Sequence, residues 1–499
     1  MSSPDPAPLA IGLDLGTSSL KAVAVDADGR VLARASRGYS TSRPEPGGAE
    51  QEPADWLDAC DRALQELAAT ADPARWGAIG LSGMLPTLVE LDDELHPVGP
   101  AVTWEDGRAE PEAQRMLAQL DPDEVYLATG QRLDGRYLLP MHLRRARTGT
   151  GARRIASAKD HLLLHLTGEL ATDPSTATGY GCFDLARGGW DAAIVAAAGS
   201  PSLPPVVPST TTLPLRATVA TRWGCPPAIP VAVGGADSVL GAYGMGITAP
   251  GRIGMIAGTS TVLIGWSPDG RREREGRHLV TPMIGAGYGV ELDLMTTGSA
   301  LAWLAGILGL SDAAALTELA ATAELDRAPL VLPHLGPGEQ GALWDPALTG
   351  VVDGLTLGTS RAELARGLLA GIVVEAARCV ALLRDPDGDA TADAAEILLT
   401  GSGGASETFR RDLADATGLA VRYDPDEHDH SAVGAALLAG RAALGWPESA
   451  PTPAGAVTMP DPSAAPRWAQ RRDRQDRVRV ALRDARPDTV PANDPEELP

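Results

Sequence analysis

Apolar and polar residues alternate most clearly near the start of the chain, in residues 11–32. Every second residue from Ile11 to Leu15 is apolar, which is the period of a strand buried on one face. Residues 16–19 are small and polar and turn the chain, and residues 20–25 form a second apolar stretch. The pattern therefore predicts a β-hairpin at this point.

The turn of this hairpin carries groups that can bind a phosphate. Gly16 permits unusual dihedrals and close backbone approach, and Thr17 and Ser18 add hydroxyls and free N–H groups. Asp14 ends the first strand, where a carboxylate suits a Mg²⁺ ion that keeps most of its waters. An ordinary hairpin with a polar tip is the structural alternative.

The same pattern returns in residues 253–271, which repeat Ile-Gly, then Gly-Thr-Ser, an apolar stretch and an Asp-Gly-Arg turn. Internal similarity of this kind indicates a duplication. The residues of the second turn are Gly258, Thr259 and Ser260. Ile256 replaces Asp14 in this copy, so we expect two phosphate-binding hairpins of which the first alone supplies an acid for a metal.

Three further apolar stretches predict buried strands that end in turns. Ligands gather at the carboxyl ends of strands in open α/β sheets, so the residues after each strand are candidate site residues. The three turns comprise residues 84–87, residues 234–238 and the glycine-rich residues 401–405.

Asp237 lies where one of these strands ends and an Ala/Gly-rich helix begins. The positive end of the helix dipole and nearby N–H groups favour an ionised carboxylate there. An ionised and positioned carboxylate is what a general base for a hydroxyl requires. A simple helix N-cap is the structural alternative, because Asp is a preferred cap.

Length and composition set the class of protein. A chain of 499 residues predicts two large domains, and a net charge of −23 argues against nucleic acid and anionic membranes as partners. We find no apolar run of membrane-spanning length and no signal-peptide pattern at the N-terminus. The four scattered cysteines indicate free thiols, and we expect a cytoplasmic location.

Three motifs carry a family resemblance: DLGTSS near the N-terminus, GGADS at 234–238 and AGTST at 257–261. In order and spacing they resemble the FGGY family of carbohydrate kinases, which includes xylulose, gluconate and glycerol kinases. The resemblance extends from about residue 10 to residue 445. It implies an α/β fold with two actin/ribonuclease-H-like domains around a central cleft. The implied segments are a sugar-binding N-terminal domain (1–246), an ATP-binding C-terminal domain (247–446) and a Pro-rich, charged, partly disordered tail (447–499).

The resemblance also implies roles for individual residues. Asp237 would be the general base, and Asp14 would help to hold Mg²⁺. Lys159 and Asp160 resemble a helix start in the family and are expected to be structural. The residues expected to bind ATP are Gly16, Thr17, Ser18, Gly258, Thr259, Ser260, Gly298, Gly403 and Gly404.

The expected sugar contacts are less uniform than the phosphate motifs. Leu85 and Pro86 stand where xylulose kinases have a Met-His pair and glycerol kinases an Arg-Glu pair. Trp104 and Asp106 resemble the family's Trp-x-Asp-x-Arg segment, so that Trp104 would stack on the sugar and Asp106 would accept from its hydroxyls. A turn with a local Asp106–Arg108 pair is the alternative for this segment.

The sequence therefore predicts a kinase that transfers the γ-phosphate of ATP to a hydroxyl of a ketose or polyol and is most like the xylulose kinases. The alternatives are a gluconate or other polyol kinase of the family, a chaperone-type or actin-like ATPase without a sugar base, and a non-catalytic sugar sensor. A small sugar or polyol is the expected partner, and a homodimer is one assembly that the resemblance allows.

Overall fold

The computed structural model of the chain describes residues 7–149, 152–272, 276–336, 341–345, 348–384, 394–425, 429–447 and 455–485. The chain divides into two compact units. The first unit comprises Met1–Thr248, Arg272–Gly289 and Asp429–Thr452. The second comprises Ala249–Arg271, Val290–His428 and Pro453–Pro499.

The described residues up to 244 alternate between strands and helices. The strands are β1 (Leu9–Leu15), β2 (Ser19–Val25), β3 (Val31–Gly38), β4 (Glu50–Gln51), β5 (Trp76–Gly83), β6 (Leu88–Leu91), β7 (Ala101–Val102), β8 (Arg154–Ser157), β9 (Phe183–Asp184), β10 (Gly189–Trp190), β11 (Thr212–Pro214) and β12 (Pro230–Ala236). The helices are α1 (Pro53–Thr70), α2 (Glu110–Leu117), α3 (Pro122–Thr129), α4 (Leu138–Thr148), α5 (Ala158–Thr167), α6 (Pro174–Thr178), α7 (Ala192–Ala197), α8 (Ala217–Trp223) and α9 (Asp237–Gly244), with a 3₁₀ helix at Pro73–Arg75.

The described residues from 252 onward continue the same alternation. The strands are β13 (Arg252–Ala257), β14 (Thr261–Ser267), β15 (Leu279–Pro282), β16 (Tyr288–Leu294), β17 (Leu330–Leu332), β18 (Val351–Asp353), β19 (Glu396–Thr400), β20 (Ala420–Tyr423) and β21 (Ala456–Thr458). The helices are α10 (Gly298–Ile307), α11 (Ala313–Ala321), α12 (Arg361–Leu383), α13 (Glu407–Thr417), α14 (His430–Leu444) and α15 (Ala465–Ala485), with 3₁₀ helices at Leu325–Arg327 and Ser402–Ala405.

The main sheet of the first unit has the strand order β11-β12-β5-β1-β2-β3. Strands β1 and β2 form the predicted antiparallel hairpin, and β5 runs parallel to both β1 and β12. Helix α1 packs its apolar face, with Trp56, Leu64 and Leu67 buried, beneath the hairpin. The carboxyl ends of β1, β5 and β12 therefore lie at one edge of the sheet, where α/β proteins bind ligands.

Helix α14 comes from near the end of the described chain and packs on β1 and β5 of the first unit. A Cβ atom at Gly12 would lie 1.8 Å from the carbonyl oxygen of Ala432, and one at Gly80 would lie 1.9 Å from that of Ala435. The helix backbone therefore approaches the sheet as closely as glycine alone permits. The first unit includes residues 429–452, whereas the expectation from sequence assigned residues up to 446 to the second domain.

The second unit repeats the plan of a hairpin followed by parallel strands. Its strands run in the order β16-β14-β13-β19-β20-β21. Strands β13 and β14 form the second predicted hairpin, and β19 is parallel to β13 and to β20. The duplicated pattern in the sequence therefore corresponds to a duplicated element in the structure.

Helix α15, in the segment expected to be a tail, packs on the second unit. Its Trp468 side chain is 3% exposed and belongs to the hydrophobic core of that unit. The Gln475 amide donates to the Val331 carbonyl at 2.9 Å, and Arg471 donates to the Pro329 carbonyl at 2.6 Å. Among the described residues, no helix combines the length and apolar character that a membrane crossing requires.

Candidate active site

Three adjacent strands of the first unit bring the predicted catalytic residues to one edge of the sheet. Asp14 at the end of β1 pairs in register with Ser82 of β5, and the Ser82 hydroxyl donates to the Asp14 carboxylate at 2.8 Å. Ser82 in turn pairs with Gly235 of β12. Asp237 follows two residues later, so both carboxylates lie where parallel strands end.

Asp237 is the first residue of α9 and is partly buried. The N-cap position belongs to Ala236, so the N-cap alternative does not describe this residue. Its side chain accepts from the Ser238 N–H at 2.8 Å, and its carbonyl accepts from the Ser431 hydroxyl at 2.8 Å. Asp237 therefore presents a carboxylate at a helix N-terminus, where the dipole favours negative charge.

Asp14 is almost completely buried, with 6% of its surface exposed. Burial raises the pKa of its carboxyl above the ordinary value, although Lys21 and the Ser82 hydrogen bond act in the opposite direction. The described residues contain no group of three or more His, Cys, Asp or Glu side chains arranged to hold a metal. Asp14 offers a buried carboxylate at the carboxyl end of β1.

Lys21 is a candidate site residue that the sequence analysis missed. It pairs with Asp14 across the hairpin, and its ammonium lies 3.1 Å from the Asp429 carboxylate. Burial lowers the pKa of Lys21, but the carboxylates of Asp14, Asp429 and Asp237 outweigh that effect and raise it. The sequence did contain a signal for this pairing. Asp14 lies two residues before the four-residue turn and Lys21 two residues after it, so the two residues are opposite each other in the hairpin.

The turn at residues 16–19 is held by several side chains. The Gly16 N–H donates to the Ser19 carbonyl at 3.1 Å, which closes the turn. The Gln51 amide donates to the Thr17 carbonyl at 2.7 Å, and the Trp104 indole N–H donates to the Thr17 hydroxyl at 3.0 Å. Trp104 therefore braces the turn with one edge of its ring.

Asp106 has partners other than the expected sugar. Its carboxylate accepts from the Ala49 N–H at 2.9 Å and from the backbone and guanidinium of Arg108. It is 1% exposed. Arg108 also pairs with Glu45 and Glu50, so this part of the structure matches the local Asp–Arg alternative, in a buried form.

The segment after β5 contains the two residues at which this chain departs from the family pattern. Leu85 and Pro86 are partly exposed, and Met84 is buried with its N–H donating to the Leu15 carbonyl at 2.8 Å. Thr87 is buried, and its hydroxyl has no hydrogen-bond partner among the described residues. The partly exposed side chains of this segment, Leu85 and Pro86, are therefore both apolar.

The second unit gathers most of the predicted nucleotide-binding glycines around one cavity. A Cβ atom at Gly298 would lie 2.2 Å from the Gly258 carbonyl oxygen, and one at Gly403 would lie 3.0 Å from the Ala257 side chain. These three glycines line a cavity of about 830 Å³. Such a volume is typical of a pocket for a cofactor-sized ligand.

The other predicted residues of this unit have different positions. Gly404 is buried, and a Cβ atom there would lie 2.4 Å from the Tyr423 ring, so it serves close packing. Thr259 and Ser260 form the turn itself, in which the Gly258 N–H donates to the Ser260 carbonyl at 2.9 Å. The Ser299 N–H donates to the Thr259 carbonyl at 3.0 Å and ties the turn to helix α10.

The two hairpin turns differ in length. Leu15 pairs with Leu20 in the first hairpin, whereas Ala257 pairs with Thr261 in the second. The second turn is therefore one residue shorter than the first. Aligning the two sequences matches Thr261 to Ser19, but strand pairing puts it in the place of Leu20, where its hydroxyl bonds Thr297 at 2.8 Å.

Comparison with known proteins identifies the family. Residues 9–244 match the N-terminal domain of the FGGY family of carbohydrate kinases, and residues 254–443 match its C-terminal domain. A xylulose kinase from Klebsiella pneumoniae is 31% identical over 86% of this chain and 89% of that protein. A gluconokinase from Bacillus subtilis is 25% identical over 86% of each chain.

A solved structure gives the same result. The xylulose kinase from Rhodospirillum rubrum superimposes with a TM-score of 0.84 and 29% identity, covering 95% of this chain and 99% of that one. The two matched domains coincide with the two hairpin-bearing halves of the sequence. The chain therefore belongs to the FGGY family of carbohydrate kinases and is an ATP-dependent phosphotransferase that acts on an alcohol group.

Proposed function

We propose that this kinase phosphorylates a terminal hydroxyl of a neutral ketose or polyol, with a xylulose-type pentulose as the preferred class. The observation that carries the proposal is the convergence of Asp14, residues 84–87 and Asp237 at one edge of the first sheet. Relatives that match most of the chain include xylulose kinases and gluconokinases, which supports a small sugar or polyol as the substrate.

Asp237 is the proposed general base. Its carboxylate accepts the proton of the substrate hydroxyl as the oxygen attacks the γ-phosphorus of ATP. Phosphoryl transfer needs little covalent help from the protein, so positioning and charge stabilisation supply most of the acceleration. The N-terminus of α9 supports this proposal, because the Ser238 N–H donates to the carboxylate at 2.8 Å.

Asp14 is the proposed protein ligand of Mg²⁺. Its carboxyl is buried at the end of β1, where burial raises its pKa above the ordinary value. A divalent cation beside it would favour the ionised form. When bound, Mg²⁺ neutralises charge on the phosphates during transfer.

The cavity of the second unit is the proposed nucleotide site. Gly258, Gly298 and Gly403 let its walls approach without side chains, as a phosphate-binding surface requires. The buried Arg366–Asp412 pair lies in the same lining. We assign ATP to this cavity on these grounds.

The uncharged surface at residues 84–87 favours a neutral substrate over a sugar acid. Recognition of a carboxylate such as that of gluconate normally uses a cationic side chain; none of these four residues is cationic, and the nearby Lys21 ammonium is paired with Asp429. Trp104 offers a partly buried ring beside the same hairpin. Asp106 is already fully engaged, so we assign it to holding the loop rather than the sugar.

The test is ADP release measured with a panel of ketoses, polyols and sugar acids. We expect turnover with a neutral pentulose, and a fall in kcat of roughly 10²–10⁴ in Asp237→Asn with little change in the KM for ATP. Asp93→Asn, at an exposed acid of the same unit, is the matched control and should leave kcat unchanged. Near-normal turnover by Asp237→Asn would remove the assignment of the base, and preference for a sugar acid would remove the substrate class.

We also propose that the enzyme works in the reducing cytoplasm. Its four cysteines, Cys60, Cys182, Cys225 and Cys379, are buried free thiols. Burial raises the pKa of Cys60 and Cys182, which keeps these thiols protonated and unreactive.

A further inference from the structure

The backbone just before Asp237 is bonded by two buried side chains. The Lys159 ammonium donates to the Val233 carbonyl at 3.0 Å, and the Ala236 N–H donates to the Ser175 hydroxyl at 3.0 Å. We propose that Ser175 and Lys159 are positioning residues, which set the place of the Asp237 carboxylate by fixing the strand end that leads into it. The inference rests on the proposed role of Asp237 as the base.

The two side chains belong to one buried ionic network. Lys159 is fully buried, and its ammonium lies 3.0 Å from Asp160 and 3.2 Å from Asp173. The other oxygen of Asp173 accepts from both the N–H and the hydroxyl of Ser175. Since the Ser175 proton is committed to Asp173, its oxygen is left to accept from the Ala236 N–H. Each hydrogen bond therefore has one defined donor: the Ala236 N–H donates to Ser175, and the Ser175 hydroxyl donates to Asp173.

The network acts where the sheet is irregular. The pairing of β12 with β5 shifts register between Ala232 and Gly235, directly before Asp237. A register shift of this kind leaves backbone groups without their regular ladder partners. Lys159 supplies a partner to Val233 inside the shift, and Ser175 supplies one to Ala236, which pairs with Gly83 directly after it. Burying charged groups costs desolvation energy, so the ionic network is weak evidence for added stability of the fold. A role in fixing the backbone geometry before Asp237 accounts for the network better.

Close contacts on two sides restrict the backbone at the end of β12. Gly234 has a φ of +81°, and a Cβ atom there would lie 1.7 Å from the Leu81 carbonyl oxygen. A Cβ atom at Gly235 would lie 2.9 Å from the Ser175 hydroxyl oxygen. The chain is thus held between β5 on one side and Ser175 on the other as it enters α9.

The test is a double-mutant cycle between Ser175→Ala and Asp237→Asn. Small misplacement of a catalytic group costs up to about 10²-fold in rate, so we expect Ser175→Ala to lower kcat about 10-fold or more. The KM for ATP should stay within about twofold, because the nucleotide cavity does not involve Ser175. In the Asp237→Asn background, the same change should lower kcat less than about twofold.

Ser209→Ala is the matched control for this cycle. The Ser209 hydroxyl donates to the same Asp173 oxygen at 3.4 Å, whereas the Ala236 N–H donates to Ser175. We expect it to leave kcat unchanged. Gly235→Ala disturbs the same contact from the other side, because its methyl group would press against the Ser175 hydroxyl. We expect it to lower kcat in the native background and to have little effect in the Asp237→Asn background.

The outcomes separate the two hypotheses. An equal loss of kcat from Ser175→Ala in both backgrounds would overturn the positioning role, since the effect would not pass through Asp237. If Ser175→Ala failed to fold, an equal loss of kcat from Gly235→Ala in both backgrounds would overturn the positioning role in the same way. If Asp237→Asn alone left kcat intact, the proposed base would be lost instead, whatever the result at Ser175.

Discussion

Asp14 and Lys21 face each other across the first hairpin, and Ile256 and Val262 occupy the paired positions of the second. The two copies therefore share a backbone shape but differ in charge. One copy offers an acid and an ammonium beside the proposed base. The other offers apolar side chains at the same two positions.

Pro86→His tests the substrate surface at the level of a single residue. Proline lacks both the imidazole donor that xylulose kinases have here and a backbone N–H. Loss of a hydrogen bond to a buried hydroxyl costs about 1–3 kcal/mol, or roughly 10–100-fold in affinity. We therefore expect Pro86→His to raise kcat/KM for D-xylulose relative to the best native substrate by about 10-fold.

The measurement for this variant is a ratio of kcat/KM values for two sugars on both proteins. Leu85→Met, which restores the other half of the family pair without adding a donor, is the matched control. A ratio that stays flat in Pro86→His would show that this residue does not set the substrate. Efficient turnover of D-xylulose by the native protein would lead to the same conclusion.

Individual site residues were predictable to different degrees. The positions of Asp14 and Asp237 at the ends of strands followed from a local pattern of apolar residues, whereas their proposed roles rest on the family resemblance as well. Lys21 required the exact turn length, and Ser175 required knowledge of which helix packs on β12. Asp106 shows the converse, because its neighbour Arg108 and the Ala49 N–H use its oxygens in the folded chain. Such contacts depend on tertiary structure rather than on periodicity.

At the level of elements, the two hairpins were visible in the sequence and their difference in length was not. A shift of one residue sends a strand's side chains to opposite faces. Thr261 therefore bonds Thr297 inside the second unit instead of taking the place of Ser19 at the turn. Alternation predicts where a strand lies, but pairing decides which residues are equivalent.

Bulky substitutions in the two turns test whether both hairpins bind phosphate. Thr17→Leu and Thr259→Leu would each obstruct backbone N–H groups in a turn, so we expect a raised KM for ATP or loss of turnover in both. Asp14→Ala should in addition shift the Mg²⁺ concentration needed for half-maximal activity. The measurements are ATP and Mg²⁺ titrations of the initial rate.

Ile256→Ala is the control for this set, because it changes the equivalent residue of the hairpin that lacks the acid. It should leave the Mg²⁺ dependence unchanged. An identical metal response in Asp14→Ala, Thr17→Leu and Thr259→Leu would contradict the separate roles of the two copies.

At the level of the whole molecule, buried histidines make stability depend on pH. His161 on α5 is 5% exposed, and neither ring nitrogen has a hydrogen-bond partner among the described residues. Burial, with a smaller effect of His165, lowers the pKa of His161 to about 4. The unfolded chain therefore binds a proton that the folded chain refuses between about pH 6.5 and pH 4, so stability falls as the pH falls through that range.

The expected size of this effect can be measured with His161→Gln. Between pH 7 and pH 5, the native protein should lose about 2 kcal/mol of unfolding free energy through this residue, and the variant should be spared that loss. His96→Gln, at an exposed histidine, is the control and should show the native pH dependence. Urea titrations at both pH values provide the measurement, and parallel curves for all three proteins would refute the assignment.

The close packing of α14 on Gly12 and Gly80 has a consequence for the order in which the protein can be made. β12, the last of the strands that this helix contacts, leaves the ribosome roughly 200 residues before it, which is on the order of 10–40 s at about 5–20 residues per second. During that interval the nascent sheet carries an uncovered glycine-lined face. The first unit can therefore complete its packing only after α14 has been translated, and we expect a ribosome stalled before residue 430 to present a substrate for chaperones rather than a finished first unit.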